Sequence, residues 1–381
     1  MRIGFIGFGK LGQPCGEVIS EKGHDVVAYD VADIDTTVEM RDSIEETVKD
    51  RNIVFIAVPT PHDPAYDGSA PTYHLPPKDF SYDIVIDVIK EANKHMNKDQ
   101  LLVLISTVLP GTVRREFVPL VTNTRFVYNP YLIAMGTVAW DMVNPEMVMI
   151  GTETGETTKE AGELIYFYAT IMENDPRYVV GTWDECECIK VFYNTFISAK
   201  IGLVNMIQDV AETQGNINVD VVTDALKDST QRIMGPSYMK AGMGDGGACH
   251  PRDNIALRYM ANDLNLNYDL FAEIMKARDM QASNMASSIL NFGDKIYFTS
   301  DSYKPGVSYT AGSYSLLVQE YVKELEGEIV NDITEADVIV LVHPEETTAE
   351  ELGKYQVIFD PWRKFKSDTN EVVHYGNTRM Q

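Results

Sequence analysis

Residues 242–253 read GMGDGGACHPRD, a glycine-rich loop pattern that presents Cys249 between two cations, Lys240 and Arg252, with Asp253 close behind. Cations around a thiol favour its thiolate, which can attack an aldehyde carbon. Taken alone, a cysteine is more often an inert small hydrophobe. Lys190 and Asn194 form a K-x-x-x-N pair whose spacing puts both on one helical face, where an ammonium and an amide can steady a developing oxyanion. Singly, each also reads as a solvated charge or a local hydrogen bond. A third group is Gly7, Gly9 and Gly12 in G-F-G-K-L-G, between an apolar strand pattern and a helix pattern. Missing side chains there allow a tight turn and close approach of backbone N–H groups to a pyrophosphate. Asp30 ends the next strand pattern, placed to accept hydrogen bonds from a ribose 2′-OH. Residues 31–35 (VADID) contain no arginine to take a 2′-phosphate, so NAD is favoured over NADP. A tight turn alone would explain the glycines; strand, helix and acid together point to the dinucleotide.

The elements that must position these groups follow from hydrophobic patterning. Apolar runs at 2–6, 25–30, 52–58, 101–106 and 125–128 alternate with helix-length stretches, the pattern of a parallel sheet wound with helices. From about Asp184 to Gln214 there is no proline, and apolar residues recur at helical spacing, predicting one long helix. Helical patterns continue at 219–228 and 267–290. Strand and helix patterns then alternate again at 295–299, 315–327, 336–342 and 354–360, and the last dozen residues read as a polar tail. The expected fold is α/β, with two Rossmann-like doubly wound domains joined by a central helical region. The expected boundaries are 1–183, 184–291 and 292–381.

Bulk properties narrow the function. A chain of 381 residues exceeds one ordinary hydrophobic core. Its net charge of −25, from 32 Lys and Arg against 57 Asp and Glu, repels nucleic acid and anionic membranes. An anionic ligand must therefore be held locally, by helix N-termini and a few cations. No apolar run approaches the roughly 20 residues of a membrane span, and MRIGFIGFGK lacks a signal-peptide pattern, so a soluble cytoplasmic protein is expected. The four cysteines show no metal-ligand spacing, and no metal is expected. Cys186 and Cys188 lie two apart on a helix pattern and point in different directions. His250 is read as a loop or substrate contact, and Trp362, Arg363 and Lys364 as an exposed basic turn that could alternatively touch a nucleotide.

The cysteine run resembles the G-x-G-x-G-G-x-C-[FH]-x-K-D signature of the UDP-glucose/GDP-mannose 6-dehydrogenase family, here ending in R-D. Further resemblances follow in order: VPTP at 58–61, STV at 106–108, NPYLIAMG at 129–136, KVFYNTFISAKIGLVN at 190–205 and SYKP at 302–305. The resemblance implies NAD-dependent oxidation of a nucleotide sugar, an alcohol passing through an aldehyde to a carboxylate. UDP-glucose is the commonest substrate in the family. It implies Cys249 as the nucleophile that forms a thiohemiacetal and then a thioester. Lys190 and Asn194 would stabilise the oxyanion, Asp253 would act with the lysine and a water, and Thr107 would sit beside that water. It further implies cofactor contacts from Gly7, Gly9, Lys10, Leu11, Gly12, Asp30, Val58, Pro59, Thr60 and Thr107. Substrate contacts would come from Tyr131, Leu132, Lys190, Asn194, Tyr238, Gly246 and Lys304, and a homodimer would form through the long helix.

The chain also departs from that pattern. Where the family has P-E-F-L-x-E-G, this sequence has Pro130-Tyr131-Leu132-Ile133-Ala134-Met135-Gly136, so Tyr131 and Met135 replace both glutamates. The first of these assists thioester hydrolysis in the family, and a tyrosine with pKa about 10 is a poor base at neutral pH. The D-x-R-x-S segment reads Tyr309-Thr310-Ala311-Gly312-Ser313, without its arginine, and Met206 replaces the acid that usually follows Asn205. Two other readings stay open: a two-electron dehydrogenase in which Cys249 is structural, and a nucleotide-sugar-binding protein that has lost catalysis.

Overall fold

The computed structural model describes residues 1–61, 75–76, 78–134, 136–235, 241–245, 249–306, 310–343, 352 and 356–377, with backbone alone at 201, 202, 205, 249, 250, 252, 253, 256, 257 and 259. The chain divides into two compact units, Met1–Lys200 and Ile201–Gln381.

The first unit opens with β1 (Arg2–Ile6), α1 (Gly12–Glu21), β2 (Asp25–Tyr29), β3 (Glu39–Met40), α2 (Ile44–Val48), β4 (Ile53–Ile56), α3 (Asp83–His95) and β5 (Leu101–Leu104). It continues with β6 (Arg125–Tyr128), α4 (Val138–Val143), β7 (Met147–Thr152), α5 (Lys159–Ala169), β8 (Arg177–Thr182) and α6 (Trp183–Gln214), which runs past the unit boundary. The eight strands lie in the order β3-β2-β1-β4-β5-β6-β7-β8. All neighbours are parallel except β6 and β7, which meet antiparallel at Tyr128 and Gly151. Along β4, Ile53 and Phe55 enter the core on one face while Val54 and Ile56 enter the core on the other. A strand buried on both faces has no polar positions to alternate with, which is why IVFI is continuously apolar. Phe5 of β1 stacks on Phe55 at 5.0 Å.

The helices follow local rules. Ser43 caps α2 by accepting from the Glu46 N–H, and Thr158 caps α5 by accepting from Ala161. Helix α3 buries Val85, Ile89 and Ala92, at helical spacing, with Asp83 in its first turn and Lys94 and His95 in its last, complementing the helix dipole.

The second unit contains α7 (Val219–Lys227), α8 (Cys249–Asp263), α9 (Leu270–Leu290), β9 (Lys295–Phe298), α10 (Tyr314–Glu324), β10 (Glu328–Ile329), β11 (Val338–Val340), β12 (Val357–Asp360) and β13 (Val372–His374). Its sheet, ordered β10-β9-β11-β12-β13, is parallel throughout. Ala282 and Ile289 of α9 and Val318 and Val322 of α10 pack on Ile296, Val338, Val340 and Phe359.

The expected α/β architecture is therefore observed, with a Rossmann-like sheet that is parallel but for β6 and β7 and a second sheet that is parallel throughout. Two local expectations change. The polar tail contains a strand, since Val372–His374 pairs with Ile358–Asp360. Cys249 opens α8 and is not part of a loop, so residues 249–253 form the helix's first turn and beyond. Among the described residues no helix is long and apolar enough to cross a membrane.

Candidate active site

In the first sheet the strand order reverses direction at β1 and β4, so their carboxyl ends leave a crevice between the loops that follow them. That crevice is a cleft of about 600 Å³, within the range of small-molecule sites. Gly7, Gly9, Lys10, Leu11, Asp30, Val58, Pro59, Thr60, Thr107, Tyr131 and Lys190 all border it, which brings together most of the sequence-derived cofactor positions. Ala57, Ile105, Ser106 and Ile133 also border it and were not singled out, although they flank residues that were.

The glycine turn is built by close approach. Gly7 has φ +89, and a Cβ there would lie 2.8 Å from the Ala57 carbonyl carbon. A Cβ on Gly12 would lie 2.1 Å from the Gly7 oxygen, so Gly12 shapes the turn from beneath. Gly9 is different: a Cβ there would meet nothing within 4 Å. Its missing side chain is a space on the cleft wall, facing where a pyrophosphate would approach. At the far side, Asp30 accepts from the Phe8 N–H at 2.6 Å through Oδ2 and from the Ala32 N–H at 3.0 Å through Oδ1. A carboxylate offers about four acceptor positions, so two stay free for ribose hydroxyls. The residues present thus fit a dinucleotide with an unphosphorylated ribose. Asp30→Ala is expected to raise the KM for NAD roughly 10- to 100-fold, the worth of one or two charge-assisted hydrogen bonds, while kcat stays close to wild type. Initial rates against NAD concentration test this.

On the opposite wall Thr60 Oγ1 donates to the Thr107 carbonyl at 2.7 Å and Ser106 Oγ to the Val58 carbonyl at 2.6 Å, tying the loops after β4 and β5 together. Lys190 projects from α6 and donates from Nζ to the Tyr131 carbonyl at 2.6 Å. Burial pulls the Lys190 pKa below its ordinary value, since desolvation disfavours the ammonium. The Tyr131 hydroxyl points inward to the Tyr168 hydroxyl at 2.9 Å. Tyr168 donates to Asn129, whose amide donates to the Met149 carbonyl at 2.6 Å. Burial pushes the Tyr131 phenol well above its usual range. Residue 131 therefore presents a main-chain oxygen to Lys190 and holds its side chain in the core.

Other predicted positions fall elsewhere. Leu132 packs against a core cluster on the sheet. Asn194 is exposed one turn beyond Lys190 and does not border the cleft. Lys304 follows β9, exposed, its carbonyl accepting from Ser302 Oγ at 3.2 Å. Tyr238, Gly246 and Met135 lie outside the described residues, as do the side chains of Cys249, His250 and Asp253. The basic turn at 360–365 is a correction. Asp360 is fully buried and accepts from the N–H groups of Trp362, Lys364 and Phe365 at 2.9, 2.6 and 2.7 Å. Trp362 donates from Nε1 to the Val342 carbonyl at 3.0 Å, and its indole covers Gly242. The Arg363 guanidinium donates to the Ala241 carbonyl. Trp362 and Arg363 thus serve the start of the glycine run, and neither is an exposed cation or ring.

A family model described as the NAD binding domain of the UDP-glucose/GDP-mannose dehydrogenase family matches residues 32–170. The central-domain model of the same family matches residues 184–279. The UDP-glucose 6-dehydrogenase of Rickettsia prowazekii is 25% identical over 332 residues, covering 82% of this chain and 75% of that protein. A UDP-glucose 6-dehydrogenase of Bacillus subtilis is 26% identical over 368 residues, covering 86% and 78%. In fold, the chain is similar to the GDP-mannose dehydrogenase of Pseudomonas aeruginosa solved as a ternary complex, with TM-score 0.79 at 21% identity over 98% of this chain and 99% of the other.

Proposed function

Because this chain belongs to the UDP-glucose/GDP-mannose dehydrogenase family and is an NAD-dependent nucleotide-sugar dehydrogenase, we propose that it oxidises the C6 hydroxymethyl of UDP-glucose to the uronate, with Cys249 as covalent catalyst. The observation that carries this reading is the amine of Lys190, held at 2.6 Å by the Tyr131 carbonyl on the wall of the cofactor cleft that Thr107 also borders. NAD, when bound, would supply the hydride acceptor, two molecules for each sugar. Gly7, Gly9 and the N-terminus of α1 would hold its pyrophosphate, and Asp30 its ribose.

The chain's own groups handle the remaining atoms. Lys190, its pKa lowered by burial, takes the hydroxyl proton as hydride leaves and supports the oxyanion with Asn194. The Cys249 sulfur adds to the aldehyde carbon, and the thiohemiacetal loses the second hydride to become a thioester. Water, oriented by Thr107 and Asp253, cleaves the C–S bond. One alcohol, two NAD⁺ and one water become one carboxylate, two NADH and three protons. The position of Cys249 as the first residue of α8 supports the thiolate, because the positive end of a helix favours it. Tyr238, Gly246, Leu132 and Lys304 are proposed to contact the nucleotide sugar. Phe192 and Phe196, exposed at 56% and 54% one turn apart on α6, support a homodimer through that helix.

The inward Tyr131 phenol favours a second outcome, slow release of the thioester, since it supplies no base where the family has a glutamate. NADH formed per limiting UDP-glucose, followed at 340 nm beside other UDP- and GDP-sugars, separates the cases. Two NADH per sugar is expected, and Cys249→Ala should yield no more than one. A burst limited to two NADH per active site would indicate a stalled thioester. Two NADH from the Cys249→Ala variant would overturn the covalent role.

A further inference from the structure

Glu187 lies three residues before Lys190 on α6, in the stretch D-E-C-E-C-I-K, and its side chain is fully buried. It does not border the cofactor cleft. Its carboxylate reaches across to the loop after β5 and the short helical turn it leads into, Val113–Phe117: Oε2 accepts from the Gly111 N–H at 2.6 Å and Oε1 from the Val113 N–H at 2.7 Å. Gly111 has φ +86, a left-handed turn that glycine adopts without strain. The same loop carries Thr107, four residues before Gly111, on the cleft wall. One carboxylate thus joins the helix that carries Lys190 to the loop that carries Thr107. A neighbouring pair, Arg114 and Asp184 at 2.6 Å, bridges the same helix and loop, but its side chains are 57% and 32% exposed, and solvent weakens such pairs.

We infer that Glu187 is a positioning residue, which sets the distance between Lys190 and the Thr107 loop across the cofactor cleft by gripping two backbone N–H groups of that loop. This rests on the assignment of Lys190 to the reacting carbon. A carboxylate can accept from both N–H groups at once, whereas an amide accepts through one oxygen and opposes its own N–H to the second donor. The grip therefore belongs to the ionised form.

Burial drives the Glu187 pKa up to about 7, against the pull of the Val113 and Gly111 N–H groups, with Asp184 adding to the rise and Arg114 opposing it. Three further groups close by are pushed toward their neutral forms: burial raises the thiols of Cys186 and Cys188 and the phenol of Tyr128 at the end of β6. The grip is complete above neutrality and weakens as pH falls through 7.

The test compares wild type with Glu187→Gln in two ways. In cofactor-free protein, deuterium exchange of the Gly111 and Val113 amides should be faster in the variant at pH 8 and similar at pH 6. In steady state with UDP-glucose and NAD, the wild-type to variant ratio of kcat should rise from near one at pH 6 to roughly tenfold at pH 8, because small misplacements of a reacting group are costly. In a Lys190→Ala background, Glu187→Gln should add nothing to the loss. Asp184→Asn, at a partly exposed position on the surface of α6, should move the wild-type inflection to lower pH, and Arg114→Gln should move it higher; both keep the inference testable if Glu187→Gln does not fold. A uniform loss at every pH, or losses that multiply with Lys190→Ala, would overturn the positioning role and leave a structural cap. Full activity of Lys190→Ala by itself would instead remove the assignment of Lys190.

Discussion

Lys190→Ala is expected to lower kcat by roughly 10²- to 10⁴-fold, the usual worth of a positioned base or oxyanion donor, with the KM for NAD little changed. The half-buried amine is aimed by one 2.6 Å bond to a main-chain oxygen and borders the cleft where a dinucleotide fits. Arginine should not rescue it, because the guanidinium stays charged and its planar fork does not match a single carbonyl. Stability should move the other way from activity. Burial lowers the Lys190 pKa, so below the usual lysine pKa the unfolded chain binds this proton more readily than the folded protein. Wild-type stability therefore gains from this group as pH rises toward that value, and alanine removes that slope. Melting curves at neutral and alkaline pH, run beside the kinetics, check both halves. A kcat within a few fold of wild type would take Lys190 out of the chemistry.

The second large effect concerns the glycine turn. Gly12→Ala puts a methyl 2.1 Å from the Gly7 carbonyl oxygen, and backbone cannot swing aside as a side chain can. Gly7 is itself closed in by Ala57, so the turn must open. NAD affinity should fall at least about 100-fold, the loss of several pyrophosphate N–H contacts at about 1 kcal/mol or more each, and folding stability by about 1–3 kcal/mol from overpacking. Gly9→Ala is the contrasting case. Its methyl enters open space, so the protein should melt as wild type does while NAD binds more weakly. Calorimetric titration with NAD and thermal melting of both variants separate the two roles. Equal affinity in all three proteins would remove the turn from cofactor binding.

Strands whose burial is written into their own residues were legible in the sequence. The runs at 2–6, 25–30, 52–58, 101–106 and 125–128 correspond to β1, β2, β4, β5 and β6, and the long helix starts one residue from its expected position. The pattern said less about β7 and β8. Short apolar runs such as MVMIGT fit a strand or a buried helix equally, and β7 joins the sheet through one antiparallel pair. The strand β13 is three residues long and exists through its register with β12, a contact absent from local pattern.

The same division holds at the site. Asp30 could be placed from type and spacing, because strand ends at a switch point have a fixed location, while Thr107 was placed through the resemblance of its S-T-V segment. For Tyr131 the residue was legible and its orientation was not: the path of the chain after β6 decides that the carbonyl meets Lys190 and the phenol meets Tyr168. Glu187 carried no local signal, because its partners lie more than 70 residues earlier. Trp362 and Arg363 looked like surface residues until the chain brought Gly242 and Ala241 beneath them.

The bond between Lys190 and residue 131 is made to a peptide oxygen, and every amino acid carries one. The lysine's anchor is therefore indifferent to the side chain at that position, so a lineage can exchange a carboxylate there for a phenol without disturbing where the amine sits. Position 131 becomes a place where one step of the chemistry can be altered by substitution while the geometry of another is preserved.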